Sequence, residues 1–508
     1  MAGVGTDKAF NYDLDVLTLV NNEGEGFDIR KIFVGLKLHE SITQNFLSGE
    51  VSILDATGMI ENAKLFGQET LRLKFSHPGV KDTEDVDENT IDQIFRIYHV
   101  GEVKRVGQNS LLYNLRFCAP ELIHAKRVRI SQAYKGSMIE IATQIAKDEL
   151  GIEASIPTAT SSVKLKPFFE TSVWDKAQDN KVIIPNWSIN YTINWLCKQA
   201  QGRDDAEGLQ DSFFFYQTAV GGYRIESLAA MIQKSAGGTT LYYSVPNIDS
   251  MVDPKSIPWD CEPDDIDGII GMGRRIQAYE IGSIANILEG TVEGLFGSKQ
   301  TTIFTTNQYM HETSYNYHNK FFANNESALT ADNPLVRQSA EEIYCGEPAF
   351  GDEDVRVNPY ENQVIYGEPI SNYKDAKQVL TSQTHFMHDK EGNIKSSADG
   401  THMGTALFRQ AAEQLLDYYT LNLVLPCRTD ISTGTIIDID IPPARPGEQE
   451  NPINHFHQGA HLLTDIMWEL TYTECKVSVK CIKDSLMNEI ETTRIDIPPT
   501  ISEVEGKV

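Results

Sequence analysis

The strongest constraint in this sequence is a two-residue period. Between Thr471 and Ile482, Thr473, Cys475, Val477, Val479 and Cys481 fall on one side, and Glu474, Lys476, Ser478 and Lys480 on the other. Such a segment is a strand with one buried and one wet face. The same period recurs early, in Ile32–Leu38, Glu50–Asp55, Leu71–Phe75, Ile94–Val103 and Leu111–Phe117, where Tyr113, Leu115 and Phe117 share a face. It returns late, in Leu421–Leu425 and in Thr435–Ile441, where Ile437, Ile439 and Ile441 alternate with Asp438 and Asp440. Short strands separated by Gly, Asn and Asp read as a barrel or sandwich. One β unit therefore opens the chain and another closes it.

Helical signals lie between them. Ser137-Met-Ile-Glu140 is a capping box, followed by Met138, Ile141, Ala142 and Ile145 on one face and Gly151 as a stop. Pro185–Ser188 opens a second helix with Ser188 as its N-cap and a stripe of Ile189, Thr192, Ile193, Leu196, Cys197 and Ala200, ending at Gly202. Phe213–Tyr216, Gly221-Gly222 and Tyr223–Glu226 spell a hairpin. Met403–Tyr419 is a third helix, with Leu407, Ala411 and Leu415 inward. Residues 246–400 are rich in Pro, Gly, Asn and acidic clusters and read as an inserted domain or as extended loops. Within them, Ile281–Gly297 is mildly amphipathic, a core or interface segment.

Charge narrows the function. The 508 residues hold 44 Lys+Arg against 72 Asp+Glu, a net charge of −28. Tight non-specific nucleic-acid binding needs many phosphate-neutralising cations, so such a chain is poorly suited to it or to an anionic membrane surface. No apolar run approaches the length of a membrane span, and residues 1–8 lack the basic and apolar regions of a secretory leader. The seven cysteines include no Cys-x-x-Cys and read as reduced thiols.

Enzyme motifs fail. His39-Glu40 and His311-Glu312 lack the second histidine of a zincin helix, since Thr43 and Tyr315 stand there. There is no Gly-x-Ser-x-Gly elbow, and Gly294–Lys299 lacks phosphate-loop spacing. His455, His457 and His461 are spaced as zinc or iron ligands can be, and His385 and His388 are three apart. No nearby Cys or Glu completes a set, so a polar loop is the preferred reading. No catalytic, cofactor-binding or metal-ligating residue is assigned. The five tryptophans, Trp174, Trp187, Trp195, Trp259 and Trp468, read as core or interface anchors.

Several motifs occur in a telling order: Phe33–Glu40, Leu47–Asp55, Gly67–Phe75 and Tyr113–Phe117; then Pro120–Leu122, Arg129–Ser131 and Tyr134–Gly136; then Pro185–Ser188, Asn194–Leu196 and Phe213–Phe215; finally Thr429–Ile437, Leu462–Ile466 and Lys483–Ser485. This order resembles the central baseplate hub proteins of T-even-like contractile-tailed bacteriophages. The similarity runs over most of residues 10–485 and is weakest over 300–400.

The resemblance implies a mainly β chain with α+β insertions and two tail-tube-like antiparallel β-barrels. Residues 1–125 would form the first barrel and 126–204 a linking α+β domain. Residues 205–245 and 401–485 would form the second barrel, 246–400 an insert, and 486–508 an extended C-terminal arm. Three such chains would form a pseudo-six-fold homotrimeric ring. The ring would adapt a six-fold tail tube, or its initiator protein, to a three-fold central spike within the surrounding baseplate proteins. DNA would pass through without specific binding. The implied place is the virion, after assembly in the host cytoplasm, with no enzyme activity and no cofactor. The hub of another contractile injection system and a tail-associated cell-wall hydrolase are the competing readings.

Overall fold

The structure, a computed structural model, describes residues 10–77 apart from residue 63, 89–152, 180–200, 212–228, 231, 240–243, 275–284, 287–295, 297–304 and 309–316. It further describes 364–365, 368–369, 377–383, 387–388, 394–395, 407, 413–414, 419–441 and 459–483.

Antiparallel strands dominate. The N-terminal set is β1 (Asp13–Val20), β2 (Gly26–Asp28), β3 (Phe33–Ser41), β4 (Ser48–Asp55), β5 (Thr70–Ser76), β6 (Thr90–Arg105) and β7 (Leu111–Cys118), with a one-turn helix α1 (Met59–Asn62). An α+β layer follows: α2 (Pro120–Arg127), β8 (Arg129–Gly136), α3 (Met138–Leu150), β9 (Asn180–Ser188), α4 (Ile189–Gln199), β10 (Phe213–Thr218) and β11 (Gly222–Ser227). Beyond it come β12 (Thr240–Tyr243), β13 (Arg275–Ile276), β14 (Ala278–Ile284), α5 (Ile287–Glu293), β15 (Gly297–Phe304) and β16 (Tyr309–Asn316). Five further pieces are β17 (Val364–Ile365), β18 (Glu368–Pro369), β19 (Lys377–Gln383), β20 (Met387–His388) and β21 (Ile394–Lys395). The last strands are β22 (Tyr419–Pro426), β23 (Ile436–Asp440), β24 (Gly459–Thr471) and β25 (Cys475–Lys483).

Fourteen strands form one sheet. Its N-terminal part runs β2-β1-β5-β6-β7-β4-β3. The strand that joins the two ends of the chain is β24. One of its edges pairs β25 from Leu462 to Leu470. The other pairs β23 from Gly459 to Leu462, then β3 from Asp465 to Thr471. From β25 the pairing continues to β22 and β14. β13 leads directly into β14, and the intervening Gln277 N–H donates to the Val424 carbonyl at 2.8 Å. β13 and β12 pair in parallel, and β12 pairs β23 in parallel. The C-terminal pairings thus return to their start as a closed circuit.

Alternation builds the core. In β25, Cys475, Val477, Val479 and Cys481 are buried while Lys476, Ser478 and Lys480 are half-buried. One apolar cluster spans both ends of the chain, from Leu17, Leu38 and Phe117 to Leu423, Trp468 and Val477. Each such side chain contributes about 1.5–3 kcal/mol on burial. Trp468 is fully buried, and its indole N–H donates to the Arg428 carbonyl at 2.7 Å. A second cluster packs α3 and α4 against β8, β9 and β10 through Ile145, Ile184, Ile193 and Phe215. There the Ser137–Glu140 capping box forms as the sequence predicts, and Gly151 ends α3 in the left-handed conformation.

Several local expectations change. Ser188 caps α4 as the sequence predicts, but Pro185–Trp187 belong to β9, and the helix stops at Gln199. Ile281–Gly297 is no single segment, because β14 runs to Ile284 and α5 precedes β15. Of the helix expected over Met403–Tyr419, Leu407, Glu413 and Gln414 are helical, but Tyr419 opens β22. The strand expected from Thr471 is two: Thr471 ends β24, and Tyr472 and Thr473 bend into β25. β1 and β2 carry no expectation from the sequence, although Leu17 and Leu19 alternate inward. Cys118, Cys197, Cys427, Cys475 and Cys481 are free thiols; Cys261 and Cys345 lie outside the described residues.

Candidate functional site

The junction of the two ends is built on a buried carboxylate. In β3, Leu36, Leu38 and Glu40 share one parity, so Glu40 points to the core side and is 1% exposed. Its Oε1 accepts from the Thr433 N–H at 2.7 Å and the Thr433 hydroxyl at 2.8 Å. Its Oε2 accepts from the Ala219 N–H at 2.6 Å. The Arg224 guanidinium adds its charge. Burial nonetheless outweighs these partners and pushes the carboxyl above its ordinary range. One side chain thereby holds β3, the β10–β11 hairpin and the loop before β23.

The hairpin is fastened further. The Gln217 Oε1 accepts from the Leu47 N–H at 3.0 Å, and the Gln93 side chain donates to the Ala219 carbonyl at 2.7 Å. The Tyr216 hydroxyl donates to Glu226 at 2.7 Å and lies where a Cβ on Gly434 would stand, only 2.2 Å away. Gly434 has φ +73°, so the close approach and the left-handed backbone both require glycine.

Beside it, the Arg428 Nε donates to Asp430 at 2.9 Å. Desolvation would raise the Asp430 carboxyl, but the hydrogen bond and charge of Arg428 prevail and hold it below its ordinary range. The Thr429 hydroxyl donates to the Asn89 carbonyl and sits 2.9 Å from the His77 Nδ1. Burial holds the His77 imidazole below its usual value.

The opposite face of the same strands is wet and continuous across the junction. Registers place Lys476 beside Glu469, Glu469 beside Lys37, Lys37 beside Glu50, Glu50 beside Arg116, and Arg116 beside His99. Sign alternates strand by strand from β25 through β24, β3 and β4 to β7. Lys37 Nζ lies 3.1 Å from Glu469 Oε1, and His39 Nε2 lies 3.7 Å from Asp465 Oδ1. Neighbouring strands are about 4.8 Å apart, well inside a Debye length of about 8 Å at physiological salt. Opposite charges at that spacing cancel before the field reaches far into solvent.

Of the histidine cluster, His461 is the member that the structure describes. His461 lies within β24, buried, with its ring 5.9 Å from that of Tyr419. His455, His457 and His385 lie outside the described residues, and His388 ends β20. No cluster of metal-ligating side chains occurs among the described residues. His39 and Glu40 point to opposite faces of β3. Trp187 and Trp195 stack edge to face at 5.3 Å and Trp468 is core; Trp174 and Trp259 lie outside the described residues. The residues missed in the sequence are Glu40 and Thr433. The parity of Leu36-x-Leu38-x-Glu40 was the available signal for the first. No helix among the described residues is long and apolar enough to cross a membrane.

No protein-family model matches the chain, and neither does any curated protein. Among solved structures, the chain is similar to a tail protein from Neisseria meningitidis MC58, with 8% identity, a TM-score of 0.42, and coverage of 94% of this chain and 97% of that one. It is also similar to the 43 kDa tail protein of prophage MuSo2 from Shewanella oneidensis, with 7% identity, a TM-score of 0.44, and coverage of 93% and 98%. A third similar structure is the Escherichia coli c3393 protein, a component of a type VI secretion system, with 8% identity, a TM-score of 0.36, and coverage of 93% and 76%.

Proposed function

We propose that this chain is a structural hub of a contractile tail baseplate, a homotrimer that joins a six-fold tube to a three-fold spike and encloses the DNA path. The observation that carries this reading is the sharing of β24. It merges the wet faces of an N-terminal and a C-terminal β unit into one wall. The row of alternating sign across the junction pairs its cations with carboxylates, so at that row a passing polyanion has few counterions to release. In this reading residues 1–125 form one tube-like barrel. Residues 205–245 and 401–485 form the other, with β13 and β14 returning from the 246–400 insert to complete its circuit. Residues 126–204 link the two, and 486–508 form the arm. The partners are the spike, the tube or its initiator, and other baseplate proteins, in the virion. The role needs no catalytic residue, metal or cofactor.

Mass photometry and electron-microscope images of the purified chain test this. The expected particle is a ring of three-fold symmetry with three times the 56.9 kDa chain mass. A monomer at micromolar concentration, a two-fold particle, or release of soluble fragments from purified peptidoglycan would overturn it.

A further inference from the structure

A basic surface of this acidic chain lies on the β8–β9 ribbon and the end of α2. From Leu122 to Ile139 the sequence holds no Asp or Glu, yet it carries Lys126, Arg127, Arg129 and Lys135. All four are exposed. A helix C-terminus favours a cation or two in its last turn, which accounts for Lys126 and Arg127. It does not account for the ribbon. There Ile130, Tyr134, Val182 and Ile184 are buried against α3 and α4, so the alternate residues form the outer face. On that face Lys135 stands directly opposite Lys181, and Ala133 opposite Ile183. Ile183 is 74% exposed, although it sits at the centre of the face. An apolar centre with a cationic rim is the anatomy of an interface.

We propose that this face receives the C-terminal segment, residues 486–508, of a second copy of the chain. The inference rests on the reading of the protein as a self-assembling subunit and names one of its contacts. The segment matches the face in charge and pattern. Glu489, Glu491, Asp496, Glu503 and Glu505 stand against Arg494 and Lys507, and they are interleaved with Ile490, Ile495, Ile497, Ile501 and Val504. Pro498 and Pro499 favour an extended backbone. The isoleucines cover Ile183 and Ala133, and the carboxylates reach Arg129 and Lys181. A contact between two different surfaces of the same chain is head-to-tail, the type that closes rings.

The test is a charge swap in the full-length chain, read by sedimentation. Arg129→Glu with Lys181→Glu is expected to weaken self-association about tenfold or more, and adding Glu503→Lys with Glu505→Lys is expected to restore it. Unchanged association overturns the role of the ribbon; weakening without rescue overturns the arm as its occupant. Arg129→Ser with Lys181→Ser is the milder pair if the reversal disturbs folding, as judged by circular dichroism. If the wild-type chain does not self-associate, the hub reading fails by itself. A fluorescent peptide of residues 486–508 then decides the inference alone. Saturable binding to the full chain, weakened by salt and lost in the reversal variant, supports it, and no binding overturns it. Retention of a DNA duplex by the wild type, lost in the variant, would assign the face to phosphates instead.

Discussion

Replacing Glu40 tests the junction most directly. Glu40→Ala removes the acceptor for three buried donors, the Ala219 N–H and the N–H and hydroxyl of Thr433. Each orphaned group costs about 1–3 kcal/mol. Arg224 also loses one of the groups facing its charge, with Tyr216 and Glu226 remaining, while the desolvation of the carboxylate is relieved. Breaking a buried charged network by removing one partner costs about 3–5 kcal/mol, and the substitution is expected in that range by urea unfolding followed through tryptophan fluorescence. Glu40→Gln keeps an acceptor for Thr433 but turns an amide N–H₂ toward the Ala219 N–H, so it costs less than alanine. Titration gives a second readout. Because the folded carboxyl sits above the ordinary value of 4.5, its contribution is fully present below that pH. It is lost as pH rises through the folded value. The advantage of wild type over Glu40→Gln is therefore largest below about pH 4.5 and shrinks above it. A cost under about 1 kcal/mol for Glu40→Ala, or an advantage that grows with pH, would refute the reasoning.

Asp430 has the opposite sign. Its lowered carboxyl stabilises the fold above the ordinary value of 3.8, so the deficit of Asp430→Asn in acid-unfolding curves is full near neutrality and vanishes as pH falls through the folded value. Ser137→Ala removes one half of the capping box on α3, and a loss of about 1 kcal/mol is expected by chemical denaturation. A Cβ at Gly49 would stand 2.1 Å from the Lys37 carbonyl and 2.5 Å from the Phe117 ring; Gly49→Ala is expected to cost about 1–3 kcal/mol by thermal unfolding.

Legibility in the sequence followed the range of the physics. The strands β3, β4, β5, β7 and β25 and the cap of α3 are local patterns, and their alternation and spacing are visible residue by residue. The bend at Tyr472 was not visible, because Thr471 and Thr473 keep the right parity for one unbroken strand. Nor was the strand role of Pro185–Trp187, although Ser188 reads as the cap. Asn186, with φ +56°, sits at the irregularity where β9 pairs Ile130 and Ser131, so the chain stays a strand as far as the cap. The charge row could not be read at all. It depends on the register between β3 and β24, which no local periodicity encodes. Glu40 was half legible. Its parity marks it as buried, but its partners Ala219 and Thr433 come from distant parts of the chain.

The double duty of β24 has a consequence for how the protein is made. Contacts such as that of the Tyr12 hydroxyl with the Thr471 carbonyl join residues 459 apart in sequence. During synthesis β3 is complete long before β24 leaves the ribosome. At about 5–20 residues per second, the edge of β3 stays unpaired for tens of seconds. It carries Leu36 and Leu38 and an unsatisfied Glu40, the kind of edge that pairs with the wrong chain. Long-range pairing of this sort is slow as well as late. Yield of soluble protein should therefore depend on what shields β3 in that interval, and a chain truncated before Gly459 should aggregate rather than survive as a folded N-terminal half.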